Sequence, residues 1–202
     1  MIDALNTYAR KVPVWVIYLI GGAYPFWLLW LGLSGGLGVD PAKAMEHALG
    51  ERALQLLILG LAITPLRKLV GLNLIKFRRG IGVTAFYLVL SHLLVWLVLD
   101  VQLLDQIWAD ILKRPYITIG MLGFVLMIPL AITSNNWSVR RLGKQWRVLH
   151  KLTYGVSLLG GLHFVMLAKG FQWEPLLYLG SVVLLLMIRL KGIPSVRTRS
   201  RA

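Results

Sequence analysis

No Asp, Glu, Lys or Arg interrupts the 20 positions from Val14 to Leu33 or the 20 from Gly80 to Leu99, and none interrupts the 18 from Tyr116 to Thr133. A helix rises about 1.5 Å per residue and a bilayer's hydrocarbon layer is about 30 Å thick, so each run is a membrane span. In lipid every backbone N–H and C=O must be satisfied within the protein, which restricts such runs to helices or a closed barrel. Twenty-residue runs without two-residue alternation select helices. Three more segments follow the same pattern: His47 to Leu66, with Glu51 and Arg52 near its start, Leu149 to Ala168, and Pro175 to Ile188. The expected fold is all-α, a polytopic six-helix transmembrane bundle forming one domain over residues 1–202. The first segment lacks a small-residue cleavage pattern and is expected to stay as an anchor.

Connections are short. The longest are Ser34 to Glu46 and Asp100 to Pro115, and VQLLDQIWADIL has apolar residues at helical spacing, which predicts a short helix lying along the surface. No loop can house a nucleotide-binding domain, and no GxGxxG or Walker pattern occurs.

Net charge is +14, which in a soluble chain would point to nucleic acid. Here the charges sort by side. With a cytoplasmic N-terminus, 17 of the 22 basic residues fall inside, in clusters ending with Arg10 and Lys11, Arg78 and Arg79, Arg147 and Lys151, and Lys191, Arg197, Arg199 and Arg201. Seven of the eight acidic residues fall outside, leaving +16 within and −2 without. Short loops obey the positive-inside rule, so both termini are expected in the cytoplasm. The charge then reads as a topology signal with attraction to anionic lipids, and no nucleic acid partner is needed. Trp108, Trp137, Trp146 and Trp173 read as interface anchors.

The chain has no cysteine, so disulfides, thiolate metal sites and thiol catalysis are excluded. Any metal must use His, Met, carboxylate or backbone ligands. His92 lies in TAFYLVLSHLLVWLVL, where a polar imidazole needs a partner or a cofactor. Counting about 1.5 Å per residue from the inner ends puts His92 about 18 Å up the third segment and His163 about 21 Å up the fifth. Two imidazoles at matching depth on separate helices suit the two axial positions of a haem, whose macrocycle is apolar. Zinc would find its shell incomplete. His92 and His163 are therefore assigned to an outer haem b. Each histidine could instead bridge helices by hydrogen bonding alone.

His150 lies about 20 Å below His163, near the inner boundary, a separation suited to a second redox centre. Fourteen residues inward from His92 stands Arg78, which is no haem ligand but could pair with a propionate or a flavin phosphate, as could the neighbouring Arg79 and Arg147. An inner haem with a weak or missing sixth ligand, a flavin site, and a plain interfacial histidine all remain open for His150. His47, in AMEHALGER, could contact a quinone or orient the outer haem, with Arg52 as a propionate partner, or could be a surface residue. Met121, Met127 and Met166 are candidate soft ligands, with packing as the simpler account.

Four blocks carry a resemblance over almost the full length: DPAKAMEHALGERALQLLILGLAITPLR, IKFRRGIGVTAFYLVLSHLLVW, KRPYITIGMLGFVLMIPLAITSNNW and RRLGKQWRVLHKLTYGVSLLGGLHF. Together they resemble the haem-binding membrane subunits of bacterial periplasmic protein-methionine-sulfoxide reductase systems, within the ferric-reductase-like transmembrane family. The resemblance implies a six-helix b-type cytochrome of the bacterial inner membrane, with one or two haems and bound FMN as a further cofactor. It implies electron transfer from quinol, or from flavin served by a cytoplasmic flavin reductase, to a periplasmic molybdopterin-containing catalytic subunit that repairs oxidised proteins. His92 and His163 match the family's haem ligands, and His150 the histidine associated with an inner haem. Related NADPH-oxidase-like cytochromes carry two histidines on each of helices three and five. This chain departs from them at Arg78 and is expected to lack their FAD and NADPH domain. The alternatives are a stand-alone ferric or quinone reductase and a non-redox transporter or scaffold.

Overall fold

The computed structural model describes residues 2–168 and 170–190. Lys169, Lys191, Arg197, Arg199 and Arg201, all used in the charge argument, lie outside the described residues. Among the described residues ten α-helices follow one another in chain order, with no strand. Four are long helical units apolar enough to cross a membrane: α2 (Trp15–Leu33), α3 (Pro41–Pro65), α4 (Arg78–Val95) and α6 (Pro115–Ile132). A π-helical turn, Leu66–Val70, prolongs α3 and another, Trp96–Val101, prolongs α4. Two further apolar helices, α9 (Leu152–Leu167) and α10 (Trp173–Leu190), have 16 and 18 residues. The short helices are α1 (Ile2–Lys11), α5 (Leu104–Lys113), α7 (Asn136–Leu142) and α8 (Lys144–Leu149).

Local chemistry accounts for several boundaries. The second apolar segment begins at Pro41, six residues before the expected start at His47, because Asp40 caps it. The Asp40 side chain accepts from the Lys43 backbone N–H at 3.2 Å and Pro41 occupies the first turn, where its missing N–H costs nothing. Residues assigned to a loop thus become the first two turns of α3. The fifth segment starts later than expected, since His150 and Lys151 form a turn between α8 and α9. Helix α5 falls within VQLLDQIWADIL and the residue after it, whereas α1 carries too few apolar residues to stand out as a span.

Three apolar clusters hold the bundle together. Leu28, Met45, Leu49, Ala53, Leu88 and Val95 join α2, α3 and α4. Leu57, Ala85, Met127 and Val156 join α3, α4, α6 and α9, and Ile63, Phe77 and Ile81 close one end of α3 against α4. Helix α3 packs along α4, α6 along α9, and α10 against both α3 and α9. A polar tie adds to that last contact, with the Tyr178 hydroxyl donating to Glu51 Oε1 at 3.0 Å. Much apolar surface remains outside: Leu19, Ile20, Phe26, Trp27 and Trp30 on α2, and Leu177, Leu184 and Met187 on α10, are exposed. In water such faces would associate, whereas in hydrocarbon they need no cover.

Candidate metal centre

The structure brings the rings of His92 on α4 and His163 on α9 together, their centroids 6.3 Å apart and their planes at 83°. Each ring is held in the same way. His92 Nδ1 lies 2.9 Å from the Glu46 carbonyl on α3, and His163 Nδ1 lies 2.7 Å from the Tyr116 carbonyl on α6. A carbonyl only accepts, so in both rings Nδ1 carries the proton and donates, leaving the Nε2 lone pair free. Among the described residues neither Nε2 has a hydrogen-bond partner. A histidine whose second nitrogen is tied to a carbonyl is the usual state of a metal ligand, because the tie sets the tautomer and raises the basicity of the free nitrogen.

The spacing agrees with that reading. Metal–imidazole bonds are about 2.0–2.1 Å. With each centroid about 1.1 Å behind its nitrogen, two imidazoles that shared one ion would have their centroids at most about 6.3 Å apart. The two centroids here, 6.3 Å apart, are within that reach. Among the described residues no three or more His, Asp or Glu converge as a metal shell, so a bare ion would find only these two nitrogens.

Two glycines make room. A Cβ on Gly120 would meet His163 Nδ1 at 2.9 Å, and a Cβ on Gly50 would meet His92 Nδ1 at 3.3 Å. Each glycine stands four residues after the residue whose carbonyl accepts the ring N–H, Glu46 before Gly50 and Tyr116 before Gly120. In a helix residues four apart share a face, so a ring that reaches one carbonyl must lie across the residue a turn later. The repeated relation of acceptor and glycine was not used in the sequence reading. It could have been found by asking which helical glycines lie at the depth of the histidines.

The remaining predicted residues divide between two ends. His47 is exposed near the N-terminal end of α3, its ring edge-on to Phe164 with centroids 5.5 Å apart. Arg52 is also exposed and donates to Gln55 Oε1 at 2.7 Å, a bond within α3. At the opposite end of the bundle His150, Arg78 and Arg79 line one cavity of about 330 Å³, with Ser134, Trp146 and apolar residues such as Phe86 and Met127. Arg79 donates to Asn136 Oδ1 at 2.7 Å, and Arg147 is exposed.

The structure adds partners to His150 that the sequence reading lacked. The Thr133 hydroxyl donates to the Pro129 carbonyl at 2.6 Å, so its oxygen accepts from His150 Nε2–H at 3.0 Å. Trp146 stacks on the same ring, centroids 3.9 Å apart, and donates from Nε1 to the Thr133 carbonyl at 2.9 Å. Trp146 is therefore not simply an interface anchor: four residues before His150, it lies on the same helical face and packs inward. Trp108, Trp137 and Trp173 are exposed. Of the methionines considered as ligands, Met127 is buried in the apolar cluster and Met166 is exposed.

A family model described as "Ferric reductase like transmembrane component" matches residues 49–161. The chain is 51% identical over 193 residues, 95% of its length and 89% of the relative's, to a protein of Agrobacterium fabrum named "Protein-methionine-sulfoxide reductase heme-binding subunit MsrQ". Proteins of the same name from Brucella anthropi and Brucella ovis are 47% and 44% identical, over 92% and 100% of this chain and 84% and 94% of theirs. The chain belongs to the MsrQ family of ferric-reductase-like transmembrane components. No solved structure matches it. Together with the four apolar helices, the family makes it a multi-pass membrane protein. The matched stretch contains Gly50, Arg78, His92, Gly120 and His150, and ends two residues before His163.

Proposed function

We propose that this chain is the haem-binding electron-transfer subunit of a protein-methionine-sulfoxide reductase, in which His92 and His163 would hold an outer haem b through Nε2. The observation that carries this is the pair of free Nε2 lone pairs on rings 6.3 Å apart, each ring fixed through Nδ1. The relatives' name, a haem-binding subunit, supports the choice of group. So does the donor set: two protein nitrogens suit an ion whose other four ligands come from a macrocycle. Haem held there supplies a one-electron carrier.

The protein's share is positioning and tuning. The Glu46 and Tyr116 carbonyls hold the two imidazoles in the ligating tautomer and strengthen them as donors. Packed apolar residues of α3, α4, α6 and α9 keep water from the path between the two ends of the bundle. Helices α9 and α10, with exposed Leu158, Leu162, Leu177 and Leu184, complete six spans of the bacterial inner membrane, with both termini cytoplasmic. His47 and Arg52 flank the outer site, Arg52 as a propionate partner.

At the inner end, the cavity of about 330 Å³ receives the electron donor, a quinol or a reduced flavin such as FMN. Its size falls at the lower end of the about 300–1,000 Å³ common for small-molecule sites. Arg78 and Arg79 on its lining, with the exposed Arg147 three residues before His150, supply the charge for a phosphate or propionate. His150 can serve an inner centre through Nε2 only by releasing Thr133. Sulfoxide reduction takes place on a molybdopterin-containing periplasmic partner, to which the outer site delivers electrons one at a time.

The test is the visible spectrum of the purified protein with and without dithionite. Wild type is expected to show reducible b-type bands, and His92→Ala and His163→Ala are each expected to lose the outer centre. Unchanged haem content in both variants overturns the ligand assignment. Co-purification with a molybdopterin protein, and electron delivery to it, separates this role from a stand-alone reductase.

A further inference from the structure

A second pocket lies between α3, α4, α9 and α10, with a volume of about 170 Å³. Three cations line it: Lys68 in the turn after α3, Arg78 at the start of α4 and Arg189 in the last turn of α10. Arg189 is half-buried, and its guanidinium is held in place by neutral acceptors alone. Nε donates to the Leu61 carbonyl at 2.9 Å, Nη1 to the Tyr154 hydroxyl at 3.1 Å, and Nη2 to Thr64 Oγ1 at 2.9 Å and the Gly60 carbonyl at 3.5 Å. Lys68 and Arg78 make no hydrogen bond or ion pair among the described residues.

Like charges gathered around a small, half-enclosed space repel one another, and a guanidinium withdrawn from water is costly unless a counter-charge meets it. The pocket lining contains no carboxylate, and residues 191–202 contain no Asp or Glu. The Tyr154 oxygen accepts from Arg189, and its own O–H has no acceptor among the described residues, so it is free to donate into the pocket. Two guanidiniums, an ammonium and a phenol form a donor set for phosphate oxygens. The volume is below the range usual for whole cofactors, which favours a compact anionic group. Basic pockets between helices at the cytoplasmic end are also where anionic headgroups dock.

We propose that this pocket binds a phosphate group, with Lys68, Arg78, Arg189 and the Tyr154 hydroxyl as its donors. The phosphate comes either from the headgroup of an anionic phospholipid or from a soluble phosphate. Arg78 borders both this pocket and the cavity at His150, but His92 and His163 line neither, so the proposal stands or falls independently of the haem assignment.

The experiment uses the full chain in detergent. Native mass spectrometry measures retention of phosphatidylglycerol against phosphatidylcholine, and a thermal-shift titration measures the response to inorganic phosphate. The variant is Lys68→Gln, which breaks no contact of the fold, and the control is Arg67→Gln, an exposed cation in the same turn. Selective, saturable retention of phosphatidylglycerol that falls about tenfold in Lys68→Gln but not in Arg67→Gln supports the site with a lipid source. A phosphate-dependent shift weakened in the same selective way, without lipid retention, supports it with a soluble source. If neither probe responds to Lys68→Gln, or if Arg67→Gln weakens both equally, the proposal is overturned.

Discussion

Gly120→Ala tests the geometry of the histidine pair more sharply than removal of a histidine does. The added Cβ would lie 2.9 Å from His163 Nδ1 and 3.0 Å from Cε1. Carbon meets ring atoms comfortably at about 3.5 Å, so the ring or the helix must move by about 0.5 Å. That stretches the 2.7 Å bond from Nδ1 to the Tyr116 carbonyl toward the limit of hydrogen bonding. Ligand positions at a metal are held to about 0.2 Å, so the movement exceeds what the proposed centre tolerates. At Gly50 the corresponding contacts with His92 are 3.3 and 3.4 Å, and an adjustment of about 0.2 Å relieves them.

Disturbing the group that orients a metal-bound histidine costs about 10–100-fold in affinity. Gly120→Ala is therefore expected to weaken haem binding by at least about tenfold, or about 1.4 kcal/mol. Gly50→Ala should stay within about threefold of wild type. The assay is titration of haem-depleted protein followed at the Soret band, with thermal unfolding as the control for the fold. Alanine gains about 0.5–1 kcal/mol of helix preference, against about 1–3 kcal/mol for overpacking. Stability is thus expected to change much less than haem affinity. Equal affinity in both variants, or a wild-type spectrum and affinity in Gly120→Ala, refutes the reasoning.

Three further outcomes are expected. Tyr178→Phe removes one of two donors to half-buried Glu51 Oε1, the other being Gln55 Nε2 at 2.7 Å, and should lower stability by about 0.5–1.5 kcal/mol, measured by chemical unfolding in detergent. The Asp40 carboxyl lies below its ordinary value of 3.8 because its side chain accepts hydrogen bonds from Lys43, so its charge stabilises the fold above that value and ceases to do so as pH falls through the lower folded value. Asp40→Asn, an equally good cap, should lower the melting temperature slightly near neutral pH, with the difference shrinking below pH 3.8; a difference unchanged at lower pH would refute the charge account. His150→Gln should leave the spectrum of the outer centre intact, since Thr133 and Trp146 hold that ring at the inner cavity; loss of the outer bands would count against the separation of the two ends.

Much of the architecture is legible in the order of residues. Uncharged runs of about 20 predict helices because lipid offers the backbone no other partner. The agreement in depth of His92 and His163 follows from the constant rise of a helix. The start of α3 at Asp40 and Pro41 was equally readable as a cap, but hydropathy outweighed it because Lys43 and Glu46 interrupt the apolar pattern there. The partners of the rings were less accessible. Glu46 and Tyr116 act through backbone carbonyls, for which side-chain identity carries no signal, and Trp146 is held by the ring of His150 and the Thr133 carbonyl, contacts that hydropathy does not mark.

What the sequence determined alone is helicity, the depth of each polar group and the sorting of charge, since all three depend on distances measured along one helix or one loop. The rotation and neighbours of each helix depend on packing between segments far apart in the chain. Only the tertiary structure decided that the rings of two histidines 71 positions apart come within 6.3 Å, centre to centre, that each donates to a carbonyl of a third or fourth helix, and that Lys68, Arg78 and Arg189 surround one pocket.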